Sequence, residues 1–207
     1  MGVTPPTPES DLVDTRRAQR ADLRARRRAI PAAARISAAQ SIAERLLALP
    51  FAPHSGHVAG YWAMDGEIAL HAWQLALPPD AIYCLPVLGD DARLRFAPWR
   101  TGEPLVANRY GIPEPDVDRA DWLEPDAMRM VVLPLVGFDP QRNRLGMGGG
   151  WYDRSFAFRR TRAAPPHLVG AGFALQALDR IEPAAWDVPL DAICTEDRTL
   201  LDHGDAA

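Results

Sequence analysis

A glycine-rich segment between Phe138 and Arg154 carries the densest chemical signal in the sequence. Four of the five residues from 146 to 150 are glycine, so backbone N–H groups are exposed there and a ligand can approach the main chain closely. A buried strand is predicted before the segment, and a helix is predicted to begin near Trp151, which would direct unpaired N–H groups and a positive dipole end at the same place. These features predict a phosphate-binding loop. The glycine spacing differs from the fingerprint of dinucleotide-binding folds, which argues against NAD binding.

Charged and aromatic residues flank these glycines. Arg144 and Arg154 can donate paired hydrogen bonds to phosphate oxygens, and Trp151 and Tyr152 offer flat apolar faces for a ring. Asp153 would repel a phosphate unless a divalent cation lies between them, and Mg²⁺ typically binds one or two carboxylates together with phosphate oxygens. Alternatively, Asp153 only complements the dipole of the helix. Beside two arginines and four glycines, the carboxylate favours a site for a magnesium nucleotide.

The basic residues exclude several other chemistries. All 23 are arginine, against 27 acidic residues, and the formal net charge is −4. The absence of lysine excludes a Schiff base on a protein amine, the P-loop lysine and the strand lysine of protein kinases. Arginines and backbone amides would therefore have to bind any phosphate.

Two alternatives stay open at this point. Seven arginines lie between residues 16 and 28, so the chain could be a nucleic-acid-binding module that uses this helix, although the acidic net charge argues against it. The glycine loop would also suit an enzyme that binds a sugar phosphate or a coenzyme A ester without ATP.

The elements that would position the loop alternate between helices and strands. Residues 1–9 are predicted to form a disordered tail, and residues 10–207 a single α/β domain. Near-continuous apolar strands such as 130–135 indicate a largely parallel sheet that helices cover on both faces. Because ligands bind outside the carboxyl ends of such strands, we expect the site in the loops after Trp62 and Pro134. Helices are predicted over 11–29, from Pro31 until Pro50, over 68–77 and after Tyr152, and strands over 57–62, 81–86, 94–99, 130–135, 167–172 and 190–195.

Cysteines and apolar runs indicate the compartment. Cys84 and Cys194 lie in short apolar runs and are predicted to be free thiols in the core, as is typical of a reducing cytoplasm. The longest apolar run, 131–138, contains Pro134 and is too short to span a membrane. We therefore expect a cytoplasmic protein with no membrane partner. We also expect a monomer, and the acidic net charge argues against a nucleic-acid partner.

Two segments resemble a known family. Leu133–Asp139 (LPLVGFD) and Arg144–Arg154 (RLGMGGGWYDR) resemble the signature of the 5-formyltetrahydrofolate cyclo-ligase family, also called 5,10-methenyltetrahydrofolate synthetase. Further similar segments bring the resemblance to about residues 16–196. These are RADLR at 20–24, YWAMDGE at 61–67, IPEP at 112–115 and WDVPLD at 186–191.

The resemblance implies a function and a set of site residues. It implies a three-layer α/β sandwich that closes 5-formyltetrahydrofolate to 5,10-methenyltetrahydrofolate, using ATP and Mg²⁺ and releasing ADP and phosphate. The residues it implies are, for ATP, Arg20, Ala21, Asp22, Leu23, Arg24, Arg144, Leu145, Gly146, Met147, Gly148, Gly149, Gly150, Trp151 and Tyr152; for folate, Trp62, Glu67, Met147, Gly148, Gly149, Gly150 and Trp151; for magnesium, Asp153 and Asp187; and for catalysis, Arg144 and Tyr152.

Three positions depart from the family pattern. Arg20 stands where lysine is usual, so a planar fork replaces a point charge. Met147 replaces a basic or aromatic residue found in some members. Arg142 stands where glycine is common, and we expect its neighbour Asn143, which tolerates left-handed backbone, to shape that turn.

Overall fold

The computed structural model describes residues 8–201, with side chains from residue 14 onward. Of the predicted tail at residues 1–9, only Pro8 and Glu9 fall in this range, and they begin the first helix. The helices are α1 (Pro8–Arg28), α2 (Ala32–Leu47), α3 (His71–Leu75) and α4 (Trp151–Ser155). The strands are β1 (Ser55–Ala59), β2 (Asp80–Leu88), β3 (Leu94–Pro98), β4 (Leu105–Ala107), β5 (Pro113–Pro115), β6 (Met128–Pro134), β7 (Gly137–Phe138), β8 (Arg144–Leu145), β9 (His167–Ala171), β10 (Ala192–Cys194) and β11 (Thr199–Leu201).

A seven-stranded sheet in the order β11-β10-β9-β6-β1-β2-β3 forms the centre of the molecule. Strands β10, β9, β6, β1 and β2 pair in parallel, whereas β3 and β11 pair antiparallel at the two edges. Val131, Val132 and Leu133 of β6 are fully buried, because both faces of a parallel sheet are covered. The predicted α/β fold with a largely parallel sheet is confirmed.

Different elements cover the two faces of the sheet. Ile42 of α2 and Trp73 of α3 belong to the apolar cluster on one face, and Phe156, directly after α4, belongs to the cluster on the other. The second covering layer is thin, since α4 has five residues and a short 3-10 helix at 157–160 follows it. The arrangement is a three-layer sandwich with unequal outer layers.

Helix α1 is anchored to loops at the carboxyl ends of the parallel strands. Leu23 packs with Val136, in the loop after β6. Arg27 is 1% exposed and donates to the carbonyl oxygens of Leu135 at 3.0 Å and Asp65 at 3.1 Å. These contacts bring one face of α1 to the sheet edge where the functional site was expected. Among the described residues, no helix combines the length and apolar character needed to cross a membrane.

The structure differs from the predicted elements mainly in short pieces. The helix predicted over 68–77 is limited to α3, and the strand predicted over 57–62 is β1, which begins and ends earlier. Two small hairpins, β4–β5 and β7–β8, were not predicted. Strands of two or three residues are too short to show a hydrophobic period, so a sequence pattern does not reveal them.

Candidate functional site

A cleft of about 450 Å³ opens at the carboxyl ends of the central strands. Tyr61 and Trp62 follow β1, Leu88 ends β2 and Pro134 ends β6, and all four line the cleft. The glycine segment forms another wall, and α1 contributes a third. The cleft therefore lies where the order of strands predicted a ligand site.

The cleft brings together most of the residues named from the sequence. Those that line it are Arg20, Trp62, Glu67, Arg144, Leu145, Gly146, Met147, Gly148, Gly149, Gly150, Trp151, Tyr152, Asp153 and Asp187. Ala21, Asp22, Leu23 and Arg24, also named as nucleotide contacts, do not line it. The helical period explains the first three, since successive residues point about 100° apart: Ala21 and Asp22 face solvent, and Leu23 is buried. Arg24 follows Arg20 by one turn on the same face, but it pairs with Asp65 instead.

Arg16 lines the cleft one helical turn before Arg20, although the sequence reasoning did not assign it there. Nη2 of Arg16 donates to the carbonyl of Glu182 and, at 3.3 Å, to Oδ2 of Asp187. Its Nε is buried without a hydrogen-bond partner among the described residues. Nε of Arg20 donates to the carbonyl of Gly146 at 2.8 Å. The four-residue spacing of the two arginines was the signal that places both on one helix face.

Arg16 and Arg20 form a positive end of the cleft. Burial lowers the pKa of Arg20, and the neighbouring charge of Arg16 lowers it further, with Asp187 offsetting part of the effect. The charge of Arg16 therefore disfavours the charged form of Arg20 in the free protein. An anion bound between them would relieve that repulsion, and it would also offer a partner to Nε of Arg16.

The glycine segment turns through two left-handed residues. Gly148 has φ of 93° and Gly150 has φ of 66°, conformations that glycine adopts at little steric cost. A Cβ atom on Gly148 would lie 3.6 Å from Cζ of Arg20, so the loop backbone runs directly beside that guanidinium. Since α4 has only five residues, its dipole contributes less positive potential to the cleft than a longer helix would. The arginines supply most of the positive charge there.

The turn before the glycine segment differs from the expectation. Arg142 itself has the left-handed backbone, with φ of 66°, and Asn143 does not. Asn143 instead donates from its backbone and side-chain nitrogens to the carboxylate of Asp139, both at 2.9 Å. The Arg142 guanidinium donates to the carbonyls of Leu190 and Leu201, both at 3.2 Å. These bonds hold a non-glycine residue in a conformation that costs about 1–3 kcal/mol.

Asp153 and Asp187, the predicted magnesium ligands, each pair with an arginine. Oδ1 of Asp153 accepts hydrogen bonds from Nη2 of Arg144 and from Val188 N–H, the latter at 3.1 Å. Oδ2 of Asp187 accepts the bond from Arg16. Within residues 8–201, no three His, Cys, Asp or Glu side chains gather as a metal site. This donor set suits a Mg²⁺ ion that arrives with phosphate oxygens and water, because magnesium is rarely bound by an all-protein cage.

Glu67 and Tyr152 bring polar groups into a mostly buried part of the cleft. Oε2 of Glu67 accepts from Met64 N–H at 2.9 Å, and Oε1 lies 3.9 Å from Nη1 of Arg27. Burial raises the pKa of Glu67, and these two contacts offset only part of the rise. Burial also raises the pKa of Tyr152, and the charge of Glu67 raises it further. The Tyr152 hydroxyl therefore keeps its proton and can act as a donor.

Large apolar side chains are exposed around the mouth of the cleft. Trp186 is 64% exposed and Met147 is 53% exposed, and Trp62, Met64 and Tyr110 are exposed beside them. Exposed apolar groups gathered around a concavity mark a binding site. This rim offers flat surfaces for heterocyclic rings.

Arg154 does not line the cleft, contrary to the expectation that it would bind phosphate. It donates to the carbonyls of Ala92 at 2.8 Å and Gly149 at 2.9 Å. Its guanidinium also lies 5.4 Å from the centre of the Trp151 ring, and that of Arg109 lies 5.2 Å from the same ring. The two arginines position Trp151 through cation–π contacts.

The β4–β5 hairpin supplies a wall of the cleft that sequence reasoning missed. It contributes Asn108, Tyr110, Ile112 and Glu114. Oδ1 of Asn108 accepts the N–H groups of Tyr110 at 2.8 Å and Ile112 at 3.1 Å, which closes the turn. Asn108 and Gly111 were the available signal, because both residue types are common in turns.

The arginines of α1 are largely engaged within the chain. Asp65 lies within 2.6 Å of Arg24, 3.0 Å of Arg27 and 2.6 Å of Arg28. Partial burial alone would raise the pKa of Asp65, but the hydrogen bond from Arg24 and the three positive charges hold it below its usual value. Arg24, Arg27 and Arg28 thus stabilise the fold through Asp65, which reduces the free basic surface that a nucleic-acid-binding helix requires.

Comparison with known proteins decides the family. The sequence profile of the 5-formyltetrahydrofolate cyclo-ligase family matches residues 13–196. The chain belongs to this family. The 5-formyltetrahydrofolate cyclo-ligase of Escherichia coli K12 is 33% identical over 177 residues, which span 84% of this chain and 96% of the relative. That of Haemophilus influenzae is 32% identical over 175 residues, which span 83% and 92%.

Two solved structures of 5,10-methenyltetrahydrofolate synthetases share the fold of this chain. The NMR structure of 5,10-methenyltetrahydrofolate synthetase from Aquifex aeolicus aligns with a TM-score of 0.77 at 24% identity, over 93% of this chain and 95% of that one. The synthetase from Mycoplasma pneumoniae aligns with a TM-score of 0.66 at 24% identity, over 87% and 98%. The resemblance drawn from the two signature segments is confirmed, and as a cyclo-ligase family member the chain is an enzyme of the ligase class.

Proposed function

We propose that this enzyme converts 5-formyltetrahydrofolate to 5,10-methenyltetrahydrofolate, consuming ATP with Mg²⁺ and releasing ADP and phosphate. One observation carries the proposal: a single cleft joins Arg16, Arg20 and Arg144 and a glycine loop to a rim of aromatic rings. The first set suits a triphosphate, and the second suits flat heterocycles. Membership of the cyclo-ligase family supports the choice of substrate.

The chemistry has to make a poor electrophile reactive. The formyl oxygen attacks the γ-phosphorus of ATP, so that an O–P bond forms and ADP leaves. N10 of the folate then attacks the activated formyl carbon, the carbon–oxygen bond breaks, and phosphate leaves with the former formyl oxygen while N10 releases its proton to solvent. Phosphoryl transfer depends on positioning and charge neutralisation more than on a protein nucleophile, and alignment of reactants can supply about 7–11 kcal/mol.

The charged end of the cleft would hold the triphosphate. Arg16 and Arg20 face it from α1, and Nε of Arg16, which has no hydrogen-bond partner among the described residues, supports a bound anion there. We assign the nucleotide contact on α1 to these two residues rather than to the segment 20–24. Arg144 would stabilise charge that develops on the transferred phosphoryl group. Asp153 and Asp187 would hold Mg²⁺, which supplies further neutralisation of the phosphate oxygens.

The aromatic part of the cleft would hold the folate. Trp62 and Trp151 line the cleft and can pack against the folate rings. Glu67 would accept hydrogen bonds from folate N–H groups. Tyr152, which stays protonated, would donate a hydrogen bond to the oxygen that leaves with phosphorus.

A direct assay tests the reaction. The purified protein is mixed with 5-formyltetrahydrofolate, ATP and Mg²⁺, and the near-ultraviolet absorption of the methenyl product is followed. We expect the signal only when all three are present, and we expect a chelator to abolish it. No signal from well-folded protein contradicts the proposal, and it would favour an enzyme that binds a sugar phosphate or a coenzyme A ester.

We also propose that the enzyme works as a monomer in the cytoplasm. Cys84 and Cys194 are free and buried, and burial raises the pKa of Cys84 to about 12 and that of Cys194 to about 11. Two unpaired thiols of this kind suit a reducing compartment. Size-exclusion chromatography with light scattering tests the monomer, and a stable dimer at assay concentration contradicts it.

A further inference from the structure

Glu114 differs from the other carboxylates of the cleft in that no described residue gives it a positive partner. Asp65, Glu67, Asp153 and Asp187 each lie within 4.0 Å of an arginine nitrogen. Among the residues that the structure describes, Glu114 has no such neighbour. A carboxylate without a counter-ion in a cleft wall is costly unless other donors satisfy it.

One oxygen of Glu114 is fixed by the protein. Oε1 accepts the N–H of Leu88, at the end of β2, at 3.0 Å, and Nδ2 of Asn108 at 2.8 Å. The same Asn108 closes the hairpin turn through its other side-chain atom. The side chain of Glu114 is therefore held in one position, between the main sheet and the hairpin.

The second oxygen of Glu114, Oε2, accepts no hydrogen bond from any residue in the described part of the chain. The residue is half-buried and lines the cleft beside apolar side chains, Leu88, Leu94 and Ile112. A fixed acceptor in an apolar wall is suited to a flat ring that carries N–H groups on its edge.

We propose that Glu114 determines specificity for the pterin ring, with Oε2 accepting hydrogen bonds from its 2-amino and N3–H edge. This inference rests on the proposed function, since it names the residue that recognises the ring of 5-formyltetrahydrofolate. The pterin edge presents adjacent N–H donors, which match an acceptor-only carboxylate. The adenine of ATP presents one amino group, and the ring nitrogens beside it are acceptors. A carboxylate repels such acceptors. We therefore expect the folate, and not the nucleotide base, to bind against the wall that contains Glu114.

The variant Glu114→Gln tests the inference without removing the anchor. Its amide oxygen can still accept from Leu88 and Asn108, but an NH₂ group replaces Oε2 and cannot accept. We expect the KM for 5-formyltetrahydrofolate to rise about tenfold to a hundredfold, the usual effect of losing a hydrogen bond to a charged group. The KM for ATP and the melting temperature should stay close to those of the wild type.

Glu103→Gln is the matched control. Glu103 lies just before β4 and accepts from the N–H of Arg100 at 2.8 Å, and it does not line the cleft. The substitution Glu103→Gln makes the same chemical change as Glu114→Gln, beside the same hairpin. Neither KM should change in this variant.

A substrate analogue separates recognition from a structural role. The affinity of 5-formyltetrahydrofolate and of its 2-desamino analogue is measured without ATP, by tryptophan fluorescence, for wild type and Glu114→Gln. If Glu114 contacts the 2-amino edge of the pterin, the wild type binds the analogue more weakly than 5-formyltetrahydrofolate. In Glu114→Gln, the difference in affinity between the two ligands is much smaller. Equal differences in both proteins overturn the inference, and so does a rise confined to the KM for ATP.

The outcomes also separate the inference from the proposed function. If wild type forms the methenyl chromophore and Glu114→Gln keeps its KM for folate, the inference alone fails. If well-folded wild type neither binds nor converts 5-formyltetrahydrofolate, the proposed function fails and the inference fails with it.

Discussion

Arg144 and Asp153 form an ion pair inside the cleft, in which Nη2 of the arginine donates to Oδ1 of the carboxylate. The same guanidinium donates through Nη1 to the carbonyl of Val188, and its side chain is 7% exposed. In the free enzyme, the arginine thus neutralises the carboxylate that we propose as a magnesium ligand. If a nucleotide binds there with a metal ion, as we propose, the phosphate would offer a new partner to Arg144 and the metal would offer one to Asp153.

Replacing Asp153 tests this exchange of partners. Asp153→Asn keeps the size of the side chain but removes its charge, so we expect the Mg²⁺ concentration for half-maximal activity to rise by about tenfold or more. Folate affinity without ATP should change little, because the carboxylate serves the phosphate side of the site. A magnesium titration and a folate binding curve measure the two effects, with Asp118→Asn, an exposed site outside the cleft, as control. An unchanged magnesium dependence would remove Asp153 from the metal site.

Substitutions of Arg16 and Arg24, both on α1, test which residues of this helix contact the nucleotide. Arg16→Gln should raise the KM for ATP about tenfold to a hundredfold, because a charged hydrogen-bond donor is lost from the cleft. Arg24→Gln should leave that KM unchanged and lower stability, because Arg24 donates to Asp65 at 2.6 Å. Steady-state kinetics and thermal melts on both variants decide. The opposite pattern would restore the segment 20–24 as the nucleotide contact.

The sequence was sufficient to predict the parallel strands of the sheet and the position of the cleft. Strands such as β6 are buried on both faces and appear as continuous apolar runs, so their positions were predicted within a few residues. The glycine segment was also recognisable, since Gly148 and Gly150 occupy backbone conformations that favour glycine. Both features depend on local residue type, which the sequence states directly.

What the sequence did not predict depends on tertiary contacts. Arg16 and Arg24 lie on the same charged helix, and only the packing of Leu23 and the position of Asp65 decide which arginine faces the cleft. The left-handed turn was assigned to Asn143 on local preference, but the bonds from Arg142 to distant carbonyls place it one residue earlier. Long-range partners of this kind leave no periodic signal in the chain.

Glu67 should show its role through both substitution and pH. Glu67→Gln should weaken folate binding far more than ATP binding, and equal losses would remove Glu67 from the folate site. Burial raises the pKa of Glu67 above its ordinary 4.5, so the carboxylate of the wild type gains its proton as the pH falls through that raised pKa. The KM for folate should therefore rise on acidification in the wild type and stay level in the variant. Kinetics from pH 7 downward measure both curves.

Asp65 should control stability in acid. Its pKa is held below the ordinary 3.8 by the hydrogen bond and charges that outweigh its desolvation. The ionised form thus stabilises the fold fully above the unfolded pKa, and that stabilisation disappears as the pH falls through the lower folded pKa. Asp65→Asn should cost about 1–3 kcal/mol at neutral pH, where Arg24, Arg27 and Arg28 lose the negative charge of Asp65. Denaturant unfolding from pH 7 towards pH 3 should show the difference from wild type shrinking, and a constant difference would contradict the ion-pair explanation.

Alanine substitutions at Gly148 and Gly102 distinguish the effect of backbone strain from the loss of a contact with the nucleotide. Their φ angles are 93° and 95°, so an alanine at either position adds a similar strain, about 1–3 kcal/mol. A Cβ at Gly102 meets nothing within 4 Å, whereas one at Gly148 lies 3.6 Å from Cζ of Arg20. Both variants should melt at lower temperature, but only Gly148→Ala should raise the KM for ATP, because the strain shifts the loop amides that run beside Arg20. If the two variants bind ATP equally well, the backbone at Gly148 does not contact the phosphates.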